Sequence, residues 1–278
     1  MLKNRLFTGA VLALLGFLLL FFTGPFFPFF LWIVFFGLMA EWVSMRKKIL
    51  GKDGEFMLVN PSQYDLSALI LAVFFFFMLS SVFFFLPEFS LKLGGVFWLL
   101  ILLSLFFSAQ SVRFLVSFWP YLFIGFGMIG STWAIAVHLQ AISPFLLLYG
   151  VLVISASDTG AYFVGRKWGK HFLAKTISPK KTWEGAFGGL ILGLVVSGIF
   201  CFFSKEILLQ GAVISSWRWI VSGVFLVIFG IVGDLFESRI KRLVDVKDSG
   251  RLLPGHGGLL DRFDSHLAGI IVTGFFFL

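Results

Sequence analysis

The feature that most constrains this chain is the recurrence of apolar runs long enough to cross a bilayer. Stretches such as "VLALLGFLLLFF" and "FFPFFLWIVFFGLMA" leave almost nothing for water to solvate. A spanning helix takes about 20 mainly apolar residues. By that ruler nine segments qualify: Leu6 to Phe22, Pro25 to Ala40, Leu66 to Leu86, Gly94 to Val112, Phe114 to Val137, Pro144 to Val164, Gly185 to Phe203, Trp219 to Phe236 and Leu259 to Leu278. The second is short, and only Arg113 separates the fourth from the fifth. With 59% hydrophobic residues, 13% charged residues and a mean hydropathy of +1.00, the composition lies outside that of water-soluble domains. The expected fold is an all-α polytopic membrane protein of about nine transmembrane helices. The opening "MLKNRLFTGAVLALLGFLLLFFTG" has the basic start and apolar core of a signal peptide but no small-x-small cleavage site, so it is expected to remain as the first span.

The net charge of +8 acquires meaning through its placement. With the N-terminus in the cytoplasm, every one of the 22 Lys and Arg except Lys92, Lys205 and Arg218 falls on the cytoplasmic side, as the positive-inside rule requires. The basic balance is thus a topology signal, and no nucleic-acid partner is expected. The single cysteine, Cys201, allows neither an intramolecular disulfide nor a thiolate zinc site. Two long polar stretches, "GRKWGKHFLAKTISPKKTWEG" and "ESRIKRLVDVKDSGRLLPGHGGLLDRFD", share that cytoplasmic face.

In "IVGDLFESRIKR" nothing breaks a helix after Gly233, which puts Asp234, Glu237, Ser238 and Lys241 at i, i+3, i+4 and i+7 on one face. Asp261 and Asp264 are also three apart and share a face in the first turn of the last segment, with Arg262 pointing elsewhere. Capping, snorkelling or simple ion pairing explains such carboxylates singly. Together, at the end of apolar segments, they point to a polar cavity. An oxygen-only donor set suits Mg²⁺, held by one or two carboxylates and substrate phosphates. Lys241, Arg242, Lys247, Arg251 and Arg262 would repel a free divalent cation but accept a metal–phosphate complex. The glycines of "PGHGG" let backbone N–H groups approach an anion, while His256 has both loop packing and acid–base chemistry open to it. In "SPKKTWEGAFGG" Ser178 is the expected N-cap, with Pro179 at the first helical position and Lys180, Lys181 and Thr182 on the opening turn, an anion site by construction. Asp158 lies near the cytoplasmic end of its own span.

From Ser238 to Asp264, "SRIKRLVDVKDSGRLLPGHGGLLDRFD" resembles the whole signature of the phosphatidate cytidylyltransferases, also called CDP-diacylglycerol synthases. "DTGAYFVGRKWGKHFLAKTISPKKTWEGAFGG", Asp158 to Gly189, looks like the second characteristic block of the same family. The resemblance implies conversion of phosphatidate and CTP to CDP-diacylglycerol and pyrophosphate, with Mg²⁺, a second cation such as K⁺, and a homodimer. It implies metal on Asp234, Asp261 and Asp264. On this basis Lys180, Lys181 and Thr182 are assigned to the triphosphate, with Ser178 also substrate-binding, and Lys241, Arg242, Lys247 and Arg262 to phosphate groups of either substrate, Lys247 and Arg262 counting with the three aspartates as catalytic. Asp158 and His256 complete the substrate-binding set.

The organisation expected is residues 1–140 as N-terminal spans and 141–278 as the catalytic membrane region, in a bacterial inner membrane with the site facing the cytoplasm among membrane lipids. A cytidylyltransferase for a different lipid phosphate remains open, because the motifs do not read the tail. The Asp-Gly-x-x-Ala-Arg opening of CDP-alcohol phosphotransferases is absent. A transporter or channel would spread Asp158, Asp234 and Asp261 through the bilayer depth and often repeat its halves.

Overall fold

A computed structural model describes residues 16–18, 20, 21, 24–50, 84–203, 214–250 and 257–278. Seven α-helices position the site: α1 (Phe26–Leu50), α2 (Pro87–Ser104), α3 (Phe118–Ile142), α4 (Pro144–Trp168), α5 (Trp183–Phe202), α6 (Ser216–Leu243) and α7 (Leu260–Phe277). A two-stranded antiparallel hairpin, β1 (Phe172–Ala174) and β2 (Ser178–Thr182), joins α4 to α5. Helices α1 to α6 are long and apolar enough to cross a membrane. Helix α7 has 18 residues, about 27 Å at the usual rise, with Asp261, Arg262 and Asp264 crowded into its start. The architecture is that of an all-α polytopic membrane protein.

Most of the expected first span and nearly all of the third lie outside the described residues. The second is longer than expected, since α1 runs on past Ala40 to Leu50. The fourth and fifth are divided differently. Helix α2 begins at Pro87, where a missing N–H costs nothing in the first turn. It stops at Ser104 and gives way to turns and a 3₁₀ segment at Arg113–Val116 before α3. The stop has an agent: Arg239, buried on α6, donates from Nη1 to the Ser104 carbonyl at 2.6 Å and from Nη2 to the Phe107 carbonyl. These bonds satisfy carbonyl groups that a continuing helix would have used.

Small residues set the distances between helices, as expected where lipid supplies no hydrophobic drive for helix association. Between α4 and α5 a β-carbon on Gly160 would stand 2.6 Å from the Gly188 carbonyl oxygen, and one on Gly189 would stand 2.8 Å from that of Ser157. Between α6 and α7 a side chain on Gly233 would collide with the Asp264 carbonyl oxygen. The bundle interior contains Ser131, Thr132, Ser197 and Thr273, each buried and each donating its hydroxyl to the carbonyl four residues earlier. Large apolar groups such as Phe106, Trp119 and Phe202 point outward, a distribution suited to lipid contact. Helix α1 is clamped to α3 by a reciprocal pair: Trp42 Nε1–H donates to the Tyr121 carbonyl at 3.0 Å, and Tyr121 O–H donates to the Trp42 carbonyl at 2.6 Å. Their rings stack at 4.4 Å.

Candidate active site

The site grows from the C-terminal turns of α6. Helical periodicity places Ser238 one turn above Asp234, where its hydroxyl donates to Asp234 Oδ1 at 3.2 Å. Lys241 stands one turn above Glu237, with Nζ 2.5 Å from Glu237 Oε2. The expected shared face is therefore present. The bare backbone of Gly233 lets α7 approach at Asp264, which brings Asp264 beside its neighbour Asp234.

The β-hairpin supplies the second component. Glu184, in the first turn of α5, holds the approach to the hairpin: its Oε2 accepts from the Lys170 and His171 N–H groups at 3.1 and 3.2 Å, and its Oε1 lies 2.6 Å from His171 Nδ1. So braced, β2 projects Lys181 onto α6, where Nζ lies 2.5 Å from Asp234 Oδ2. The two polar stretches thus meet through Lys181 and Asp234. The local structure differs from expectation, because Ser178 and Pro179 do not open a helix. Residues 178–182 pair as a strand with β1 through Phe172–Thr182 and Ala174–Ser178, and Thr182 is the N-cap, its hydroxyl accepting from the Gly185 N–H at 3.2 Å. Either Ser or Thr can cap, and strand pairing decided between them. Lys180 and Lys181 therefore approach the helix start from the strand side.

A third component comes from far away in sequence. Asp261 gathers the loop ahead of α7: its carboxylate accepts from the Ser249 N–H at 3.0 Å and the Gly258 N–H at 2.9 Å, and Lys241 Nζ lies 2.7 Å from its Oδ1. The anion that the Gly258 N–H serves is thus the protein's own carboxylate. Glu41 of α1 reaches both flanks of the same segment. Its Oε2 accepts from the Ser249 hydroxyl at 3.1 Å and from the Leu260 N–H at 2.9 Å. Any side chain on Gly258 would collide with Ser249 Oγ and lie 2.6 Å from Glu41 Oε2. Gly257 adopts φ +92°, the left-handed region open to glycine.

Two groups of opposite charges result. Lys181 pairs with Asp234, and Asp264 and Asp158 lie within electrostatic reach of both, so two further carboxylates accompany that ion pair. Glu237 and Asp261 share the second ammonium, that of Lys241. Carboxylates exceed ammonium groups in both, and Glu237 Oε1 is buried without a hydrogen-bond partner among the described residues. An all-oxygen set with surplus negative charge fits a hard divalent cation. In the conformation described, Lys181 and Lys241 stand where a cation would be attracted. Among the described residues no group of three or more His, Cys, Asp or Glu is disposed to enclose a metal ion. The expected trio of Asp234, Asp261 and Asp264 is divided, with Asp261 turned toward Lys241 and the loop.

Arg242, Lys247 and Arg262 are exposed, as is Lys180, while Ser178 is half-buried on β2. Arg251 and His256 lie outside the described residues. Sequence reasoning missed Glu41, Arg239 and the Glu184–His171 pair. Glu41 carried one signal, an acid at the end of an apolar run, and Arg239 sat unnoticed among the basic residues of its stretch.

A family model described as the cytidylyltransferase family matches residues 3–278. A phosphatidate cytidylyltransferase of Haemophilus influenzae is 47% identical over 133 residues, covering 48% of this chain and 46% of that protein. One of Staphylococcus haemolyticus is 44% identical over 161 residues, 58% of this chain and 57% of the relative. In these two alignments the chain spans about half the length of the relatives it matches. One of Bacillus subtilis is 34% identical over 277 residues, 95% of this chain and 93% of that protein.

Proposed function

The chain belongs to the cytidylyltransferase family, and from that premise we propose that it transfers the cytidylyl group of CTP to phosphatidate, forming CDP-diacylglycerol and pyrophosphate. A phosphate oxygen of the lipid attacks the α-phosphorus of CTP in line. The bond from that phosphorus to the bridging oxygen breaks, and pyrophosphate leaves with the electron pair. The observation that carries this reading is the meeting of Lys181 from the hairpin with Asp234 of α6, beside Asp264. It joins an ammonium group suited to phosphate with carboxylates suited to a cation, on the two stretches that resemble the family's motifs.

Both reactants are anions, so the work of the site is charge neutralisation and alignment. Lys181, with Lys180, Ser178 and Thr182 around the start of α5, binds the triphosphate on leaving Asp234. Lys241, Arg242, Lys247 and Arg262 hold the remaining phosphate charge of either substrate. Asp234, Asp261 and Asp264 would hold Mg²⁺, which when bound supplies neutralisation of the phosphate charge that builds up in the transition state. The carboxylate excess, to which Asp158 contributes, also accommodates a second cation such as K⁺. The lipid phosphate is already ionised near neutral pH, so no strong general base is required, and His256 has no assigned step.

We place residues 141–278 as the catalytic membrane region and 1–140 as its supporting spans. The site faces the cytoplasm of a bacterial inner membrane, among membrane lipids, in a homodimer. The deciding assay is pyrophosphate release by the detergent-purified protein with CTP, phosphatidate and Mg²⁺, with each component omitted in turn and Asp261→Asn alongside. Release that needs all three, matches CDP-diacylglycerol formation and falls at least about a hundredfold in the variant supports the assignment. A folded wild-type protein that is inactive across a panel of lipid phosphates and nucleotides would falsify it.

A further inference from the structure

The start of α7 carries Asp261 and Asp264, yet its N-cap position is Leu259, which supplies no side-chain cap. The missing acceptor comes from α1. Glu41 Oε2 takes the Leu260 N–H at 2.9 Å, and the same oxygen takes the Ser249 hydroxyl at 3.1 Å. Ser249, buried with 1% of its surface exposed, turns its own N–H to Asp261 at 3.0 Å. A continuous path of hydrogen bonds thus runs from Glu41 through Ser249 to the Asp261 carboxylate and on to Lys241. Glu41 is itself held rigidly. It is 6% exposed, next to Trp42, whose stacking and reciprocal hydrogen bonds with Tyr121 fix that turn of α1. A buried acid within an apolar helix is costly, and Glu41 Oε1 has no hydrogen-bond partner among the described residues. The glycine at position 258 keeps the space open for it.

We propose that Glu41 is a positioning residue for the reaction: from the N-terminal half it caps α7 and, through Ser249, orients the carboxylate of Asp261 at the helix start beside Lys241. The proposal rests on the cytidylyl-transfer reading for its kinetic consequence and on the hydrogen bonds alone for its structural one. Glu41 touches no reacting atom. It acts as outer partners of catalytic carboxylates do, by orienting a group that acts directly.

The test uses full-length Glu41→Ala and Glu41→Gln, purified in detergent. Hydrogen exchange without substrate should be about tenfold faster or more across residues 257–266 in Glu41→Ala, while residues of α4 and α5 keep their wild-type rates. Glu41→Gln keeps one carbonyl oxygen able to accept both bonds and should stay within about threefold. In turnover, Glu41→Ala should lower kcat about 30-fold or more with KM for both substrates within about threefold, and Glu41→Gln should recover kcat to within about fivefold of wild type. Wild-type exchange at 257–266 in Glu41→Ala, or exchange accelerated equally along the whole chain, would overturn the proposal. Equal loss of kcat in the two variants would overturn it too. A wild-type protein that makes no CDP-diacylglycerol would sink the assigned reaction, and the exchange rates would still decide whether Glu41 holds the start of α7.

Discussion

Lys181 occupies the place where the two halves of the site compete for one positive charge. Its side chain is 22% exposed and that of Asp234 32% exposed, so solvent screens the pair and its contribution to stability stays below about 1 kcal/mol. The consequence of removing it should be kinetic. Lys181→Met is expected to lower kcat/KM for CTP about 10- to 100-fold, the size of a lost charge-assisted contact to phosphate, while the thermal midpoint in detergent shifts by only a few degrees. Steady-state kinetics beside a melting curve separates the two effects. Gly258→Ala is expected to do the reverse, losing about 1–3 kcal/mol of stability through overpacking, because a β-carbon there meets Ser249 and Glu41; thermal unfolding reads it directly. Asp234, Ser238, Glu237 and Lys241 were legible in the sequence because helical spacing alone aligns them. Glu41 was not, since its partners lie more than 200 residues away and no local period refers to them.

At the scale of elements, the contact between α4 and α5 carries the hairpin and with it Lys181. That contact exists because glycines face one another, so bulk at the seam should separate the helices. Gly188→Leu is expected to cost at least about 1–3 kcal/mol and lower the thermal midpoint. Gly198→Leu, on the same helix but with nothing within 4 Å of its β-carbon position, should be tolerated. Equal behaviour of the two variants would remove the glycine seam as the cause. The helices themselves were readable from hydropathy. Their ends were less so, for identifiable reasons: the stop of α2 depends on Arg239 of α6, and the start of α5 depends on the pairing of β2 with β1. Both are tertiary decisions that a local cap signal at Ser178 could not anticipate.

Across the whole molecule, the hairpin and the loop before α7 should open to the same side of the membrane. With Cys201 as the only cysteine, a Cys201→Ser background carrying Lys175→Cys or Asp248→Cys makes a direct probe. Both thiols are expected to react with a membrane-impermeant maleimide in inverted vesicles and to be protected in right-side-out ones. Opposite labelling of the two would break the single polar face on which the site depends. The charge pattern is the ground for expecting one polar face, whereas the joining of the N-terminal half to the site was hidden because apolar segments look alike in composition. That joining also imposes an order on biogenesis. Leu260 follows Glu41 by 219 positions, so at about 5–20 residues per second the ribosome delivers it roughly 10–45 s later. Throughout that interval the newly inserted α1 holds an acid whose native partners have not yet been made, and the unfinished protein must shelter it with water, lipid headgroups or a chaperone until α7 arrives.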